Sequence, residues 1–416
     1  MNTQNSDLNG VLEDRQFIHQ ITDRDGLAAL TAGGPVTGYI GFDCTAPSLH
    51  VGSLVQIMML RHMQQCGHKP IVLMGGGTTK IGDPSGRDET RQLLDDDGIA
   101  ANMAGIKKVF SNFLKFGNGP SDAVMVNNAD WLDDFEYIPF LREYGSHMSV
   151  NRMMGFESVK LRLDRQQNLS FLEFNYMVLQ AYDFLELSRR MDCVLQLGGS
   201  DQWGNIVSGI DLARRLDSKT LYGLTSPLIT TSSGAKMGKT ASGAVWLDAG
   251  QVTPYDYWQF WRSVDDADVG RFLRLFTDLP LDEIARLESL EGSEVNAAKV
   301  ILATQATTLC HGADAASAAE GTAQKTFAYG AAADGLPTFH LDNEKLAAGI
   351  PAFEVVVASG FAKSNGEARK LIRGGGVRIN DVVVGDESQA VTGDDLNSDG
   401  QVKLSVGKKR HALGII

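Results

Sequence analysis

The chain reads as an α/β protein. A Rossmann-like doubly wound parallel sheet is followed by an α-helical domain and a small α+β domain. Three observations predict this. Short apolar runs at 36–42, 70–74 and 191–197 alternate with stretches of helical periodicity. Strand, helix and strand follow one another within about 40 residues, as in a βαβ unit. A last segment, 351–416, carries capping and hairpin signals of its own. A length of 416 residues fits about three domains.

Val36 to Phe42 is the first expected strand. A helix follows over 51–66, with Val51, Leu54, Val55, Met58 and His62 at helical spacing. Gly67 is the expected stop, in the left-handed conformation that glycine adopts without strain. Pro70 to Met74 is the second strand, running into Gly75-Gly-Gly77. Met191 to Leu197 is a third, then a turn at Gly198-Gly199 and a helix over 206–216. Sites in such sheets form at the carboxyl ends of the strands. Asp43–His50, Gly75–Asp83 and Gly198–Asn205 all fall at such ends.

The expected domains are a catalytic sheet domain over 1–225, with a helical dimerisation insertion at about 88–165. A loop and linker over 226–250 come next, then a helical domain over 251–335, a linker over 336–350 and the terminal domain over 351–416. In that last domain Ser364-Asn-Gly-Glu367 reads as a capping box, and Asn380-Asp381 as a two-residue hairpin turn.

Composition excludes several classes. Hydrophobic residues make up 43% and charged residues 21%. No apolar run approaches the roughly 20 residues of a membrane span. The first residues lack the basic and apolar regions of a secretory signal, and a cytoplasmic location is expected. Four scattered cysteines, without CxxC spacing, argue against a disulfide framework or structural zinc, and no metal ligands are expected. Net charge is −13, yet 351–416 holds nine Lys/Arg against eight Asp/Glu. Lys363, Arg369, Lys370, Arg373 and Arg378 form a basic cluster in which Glu367 is the near acid, suited to RNA phosphates.

Five segments carry chemistry. His50-Val-Gly-Ser53 lies where a strand gives way to a helix start, a natural phosphate site. Thr45 and His50 add donors there, and Gly52 lets a nucleotide approach the backbone. Lys236-Met-Gly-Lys-Thr240 sits between Gly/Ser-rich stretches; lysines on such a loop can stabilise a leaving pyrophosphate. Tyr176, Gln180 and Asp183 share one helix face. Gly198-Gly-Ser-Asp201-Gln-Trp-Gly-Asn205 offers Asp201 for ribose hydroxyls and Gln202 for a carboxylate. Gly82-Asp83-Pro-Ser-Gly86 is followed by Arg87 and Arg91, and Asp83 suits an ammonium. Each segment alone is a weak signal.

Together, in this order, they resemble the class I aminoacyl-tRNA synthetases, and within them the bacterial tyrosyl branch. His50-Val-Gly-Ser53 is similar to the HIGH signature and Lys236-Met-Gly-Lys-Thr240 to KMSKS. Phe42-Asp-Cys-Thr-Ala46, Leu179-Gln-Ala-Tyr-Asp183 and the Gly82 and Gly198 segments resemble tyrosyl-branch motifs.

The resemblance implies ligation of L-tyrosine to tRNA(Tyr) through a tyrosyl-adenylate, with ATP and Mg²⁺ as its substrate complex. It implies that Tyr39 and Asp183 meet the substrate phenol. Asp83, Tyr176 and Gln180 would meet its ammonium, and Gln202 its carboxylate. Asp43, Gly52, Gly199 and Asp201 would line ATP, with Lys236 and Lys239. Thr45, His50, Lys236, Lys239, Thr240 and Arg87 would carry catalysis. It also implies a homodimer, no membrane, and an S4-type RNA-binding tail. A site that bonds a hydroxyl rejects the analogue lacking it without editing, a rule known from this very enzyme type.

Two departures stand out: Ser53 replaces the second histidine of HIGH, and Gly238 the first serine of KMSKS. The second is expected to loosen its loop. Tryptophanyl-tRNA synthetase or a cofactor adenylyltransferase is the nearest alternative. A catalytically silent RNA-binding relative is another.

Overall fold

The computed structural model describes residues 7–84, 94–234, 237–240, 243–329, 336–397, 399–407 and 410–416. They form two compact units. One runs to Gly238 and takes in Trp246–Asp248 and Ala267–Ser289; the other holds Lys239–Val245, Ala249–Asp266 and Leu290–Ile416.

The first unit is built on a six-stranded sheet. Its strands are β1 (Gln20–Ile21), β2 (Thr37–Asp43), β3 (Lys69–Gly75), β4 (Val124–Asn127), β5 (Cys193–Gly199) and β6 (Tyr222–Ser226), in the order β1-β6-β5-β2-β3-β4. All neighbours are parallel except β1, which runs antiparallel to β6. The interior strands β3 and β5 are buried along nearly their whole length, because helices cover both faces.

The helix Leu54–Gln65 follows β2 through a short 3-10 turn at Val51–Ser53. Gly67 ends it at φ 86°. The His68 N–H then reaches the Met63 carbonyl at 3.0 Å and the Gly67 N–H reaches Gln64 at 3.0 Å. That is the paired hydrogen-bond closure in which a left-handed glycine satisfies the last free carbonyls. The helix Phe171–Met191 starts in a reciprocal box, with Ser170 and Glu173 each accepting the other's backbone N–H. It runs further than the sequence suggests. Met191, expected in a strand, is its last residue, and Asp192 turns the chain at φ 50°.

Two regions differ from expectation. The span 88–165, expected to be helical, contributes β4 to the sheet edge, paired with β3. Within 251–335, expected as one helical domain, Ala267–Ser289 joins the first unit. Buried Arg15 explains the attachment. Its guanidinium donates to the carbonyls of Thr277 at 2.9 Å and Arg274 at 3.1 Å. Arg61 also grips Asp278 at 3.0 Å.

In the second unit the helices Pro254–Arg262, Val295–His311 and Ala313–Tyr329 pack together, with Trp258 Nε1 donating to Thr304 at 3.0 Å. The terminal sheet has five strands, in the order Val382–Val383, Val377–Ile379, Gln401–Val406, Arg410–Ile415 and Thr338–His340. Helices Ala352–Ala358 and Asn365–Arg373 share its core through Val355, Val356, Ala368 and Ile372. Thr338–His340 lies in the stretch expected as a linker, yet it pairs in parallel with Arg410–Ile415. Asn380 and Asp381 make the expected hairpin turn, at φ 46° and 68°. Ser364 caps its helix by accepting from the Glu367 N–H at 3.3 Å. The return bond comes from the Lys363 N–H at 2.8 Å rather than from Ser364.

Candidate active site

Chain order reverses between β2 and β5, which are neighbours in the sheet but lead outward in opposite directions. Ligands bind at such switch points, beyond the carboxyl ends of the strands. A cavity of about 440 Å³ opens there, within the usual range for small-molecule sites. Tyr39, Asp43, Thr45, His50, Gly52, Asp83, Tyr176, Gln180, Asp183, Gly199, Asp201 and Gln202 all line it. Residues from four separate stretches of the chain, 39–52, 83, 176–183 and 199–202, thus meet in one chamber.

One end is closed by Tyr39 and Asp183, 0% and 2% exposed. Asp183 Oδ1 accepts from the Trp131 indole at 2.8 Å, and Oδ2 from Asn128 Nδ2 at 3.0 Å. Burial pushes the Asp183 carboxyl up to about 7, against the opposing pull of those two donors. Burial and the Asp183 charge together raise the Tyr39 phenol well above its ordinary value, so it stays a neutral donor. Among the described residues the Tyr39 hydroxyl has no hydrogen-bond partner. A buried hydroxyl left unpaired is costly. Here it faces a cavity beside a carboxylate.

The middle of the chamber is a polar lattice. Tyr176 donates to Asp43 Oδ1 at 3.1 Å, and Thr78 Oγ1 donates to the same oxygen at 2.9 Å. Asp43, expected on the nucleotide side, is thereby tied to Tyr176. Gln202 Nε2 donates to Asp83 at 3.0 Å and to Asp201 at 3.2 Å. Asn205 Nδ2 bridges Gln180 at 2.7 Å and Gln202 at 3.1 Å. Asp43, Asp83 and Asp201, with the amides of Gln180 and Gln202, line the same cavity, a set of acceptors that suits an ammonium group.

At the other end, His50 Nδ1 accepts the Gly52 N–H at 3.0 Å. In neutral imidazole that leaves the ring proton on Nε2. One backbone N–H expected to meet phosphate is therefore already used by the histidine. Gly52 has no room for a side chain, since a Cβ would lie 2.6 Å from His50 Cε1. Trp246 packs edge-on against the His50 ring, centroids 6.1 Å apart. Gly238 sits at φ 86°, and a Cβ there would fall 2.8 Å from the Gly52 nitrogen. The two signature segments thus touch, glycine to glycine. The glycine expected to loosen its loop allows that close approach.

Arg87 and Lys236 lie outside the described residues. Lys239 and Thr240 pair with Gly243–Ala244 as a two-residue strand, and their side chains are likewise outside the description. Sequence reasoning missed Thr78, Asn128, Trp131 and Trp246. The one available signal was Asn127-Asn128 closing a short Val/Met run.

In the terminal domain Lys363, Lys370 and Arg378 are exposed. Arg369 and Arg373 are not faced by Glu367 alone. Glu387 accepts from Arg373 Nε at 2.7 Å and lies 3.6 Å from Arg369 Nε. The Arg373 hydrogen bond holds the Glu387 carboxyl below its ordinary range.

Comparison with known proteins fits this site. The profile of tRNA synthetases class I (W and Y) matches residues 31–328, and that of the S4 domain matches 353–397. The tyrosine–tRNA ligase of Rhodospirillum rubrum is 64% identical over 413 residues, 99% of each chain. The chain belongs to the class I tRNA synthetases, in their tyrosyl family. The tyrosine–tRNA ligase of Caulobacter sp. strain K31 is 61% identical over 402 residues, 97% of this chain and 96% of the relative. A C-terminally truncated mitochondrial tyrosyl-tRNA synthetase of Aspergillus nidulans superposes with TM-score 0.70 at 30% identity, covering 77% of this chain and 94% of its own. A tryptophanyl-tRNA synthetase of Encephalitozoon cuniculi, at 14% identity and TM-score 0.55 over 75% of this chain and 89% of its own, shares the fold.

Proposed function

We propose that this chain is a tyrosine–tRNA ligase. A tyrosine carboxylate oxygen attacks the α-phosphorus of ATP, pyrophosphate leaves, and tyrosyl-adenylate forms. A ribose hydroxyl at the tRNA 3′ end then attacks the tyrosyl carbonyl and releases AMP. Neither step needs a side-chain nucleophile. Orientation and stabilisation of developing charge carry the rate.

The observation behind the tyrosine choice is the Tyr39 hydroxyl beside Asp183, without a hydrogen-bond partner among the described residues. A phenolic substrate would satisfy both, and phenylalanine would satisfy neither. Asp83, Tyr176 and Gln180 would hold the ammonium, with Asp43 completing that charge, and Gln202 the carboxylate. Thr45 and His50 would meet phosphates, with Gly52, Gly199 and Asp201 along the adenosine. Lys236, Lys239, Thr240 and Arg87 would meet pyrophosphate, as family resemblance implies. Magnesium would arrive with ATP, bound through phosphate oxygens.

The terminal domain would bind tRNA through Lys363, Arg369, Lys370, Arg373 and Arg378. We also read the protein as a homodimer. Exposed apolar side chains gather between 137 and 172, including Tyr137, Ile138, Val150 and Phe171 at 59–68% exposure. That surface suits a second copy. We read its location as cytoplasmic, in keeping with its likeness to bacterial tyrosine–tRNA ligases. The expected domain limits, a catalytic part over 1–225, a loop over 226–250, helices over 251–335, a linker over 336–350 and a tail from 351, stand as a proposal with 267–289 reassigned to the catalytic part and 338–340 to the tail.

Exchange of labelled pyrophosphate into ATP tests the reading. It should require tyrosine. A strong signal with tryptophan and none with tyrosine rejects it.

A further inference from the structure

The terminal domain carries a notch lined by Phe353, Arg369, Arg373, Asp386, Glu387 and Ser388. Arg369 is fixed from below, its guanidinium lying 4.1 Å from the Phe353 ring centroid. Its Nε is buried and has no hydrogen-bond partner among the described residues. Arg373 forms a fork on Glu387, with Nε at 2.7 Å from one oxygen and Nη2 at 3.2 Å from the other. A single carboxylate thus lies between two guanidinium groups. Asp386 is occupied locally, accepting from the Ser388 N–H at 2.9 Å and its hydroxyl at 2.8 Å.

One guanidinium fork on a carboxylate, with a second guanidinium 3.6 Å away whose Nε makes no hydrogen bond among the described residues, is a geometry that suits a phosphate. We propose that Glu387 occupies the place of an RNA phosphate, and that tRNA binding exchanges this intramolecular carboxylate for a backbone phosphate. The inference rests on the tRNA-binding role proposed above for this domain.

Exposure makes the exchange cheap. The side chains of Arg369, Arg373 and Glu387 are 41%, 70% and 28% exposed, and solvent-screened pairs of this kind contribute little to stability. A backbone phosphodiester matches the carboxylate in charge and in its two free oxygens, and the polyanion adds neighbouring charges and the release of its counterions. Glu387 therefore sets the threshold for RNA binding. It cancels part of the local positive charge until a polyanion displaces it, which suppresses weak contacts with other anions.

The test is the affinity of the full chain for tRNA(Tyr) transcript across a salt series, for the parent, Glu387→Gln and Arg373→Gln, with thermal melting as the check on folding. Glu387→Gln should bind roughly three- to tenfold tighter at about 50 mM salt. Its plot of log affinity against log salt should steepen by up to about one unit. Arg373→Gln should bind more weakly, with a shallower slope. If Glu387→Gln binds no tighter than the parent while Arg373→Gln weakens, the masking role is overturned. If neither substitution alters tRNA affinity, the notch is not on the RNA surface and the proposal fails. A parent chain that does not bind tRNA would instead overturn the ligase reading.

Discussion

The indole N–H of Trp131 donates to Asp183 across 2.8 Å, from a position 52 residues earlier in the chain. With Asn128 it fixes both oxygens of the carboxylate that faces Tyr39. The arrangement is a support. Two donors hold the carboxylate in one orientation and partly offset the burial that raises its proton affinity.

Trp131→Phe tests that support. Asp183 loses a charge-assisted bond worth about 1.5–3 kcal/mol, and its carboxyl moves further above its already raised value. The Michaelis constant for tyrosine should rise roughly tenfold or more near neutral pH. The defect should shrink as pH rises and Asp183 ionises. Steady-state exchange from pH 6.5 to 9 checks this, and a constant within twofold of the parent throughout would contradict it.

Asp183 also marks the pH dependence of folding. The unfolded chain releases this proton near the ordinary carboxylate value of 3.8, the folded chain near 7. Between the two, the folded state holds more protons, so this group's contribution to stability falls as pH rises through that window. It is level below and above. The slope is at most about 1.4 kcal/mol per pH unit. Urea melts at pH 5, 6, 7 and 8 should show Asp183→Asn gaining relative to the parent as pH rises. A difference independent of pH would place the proton elsewhere.

How much of this was legible beforehand follows from distance in the chain. β2, β3 and the helix after Val51 were readable because apolar periodicity is local, and Gly67 because helix stops are local. The lining of the cavity was readable through motif order. β4 was not. Val124–Asn127 is four residues long and lies amid polar sequence, so periodicity had too little length to register. Asn128 and Trp131 follow that strand, and they vanished with it. Glu387 lies 14 residues beyond Arg373; only the folded domain reveals that it neutralises the arginine. The placement of 267–289 depends on Arg15, some 260 residues away.

Gly238 supplies a third test. Its φ of 86° and its 2.8 Å clearance to the Gly52 nitrogen leave no place for a methyl group. Gly238→Ala should cost about 1 kcal/mol or more in this conformation and push the segment off the His50 turn. The exchange rate constant should fall roughly tenfold, while the Michaelis constant for tyrosine, bound at the opposite end, should stay nearly unchanged. A variant with altered tyrosine affinity and a normal rate constant would contradict the assignment.

The central claim is that Tyr39 and Asp183 together read a phenolic hydroxyl. The most direct measurement is the ratio of kcat/KM for tyrosine to that for phenylalanine in pyrophosphate exchange, taken for the parent and for Tyr39→Phe. The parent ratio should span several orders of magnitude, and Tyr39→Phe should lower it about tenfold, the worth of one neutral hydrogen bond. Because the lost hydroxyl has no hydrogen-bond partner among the described residues, the melting temperature should not fall. A Tyr39→Phe variant that keeps the parent's full discrimination would contradict the account.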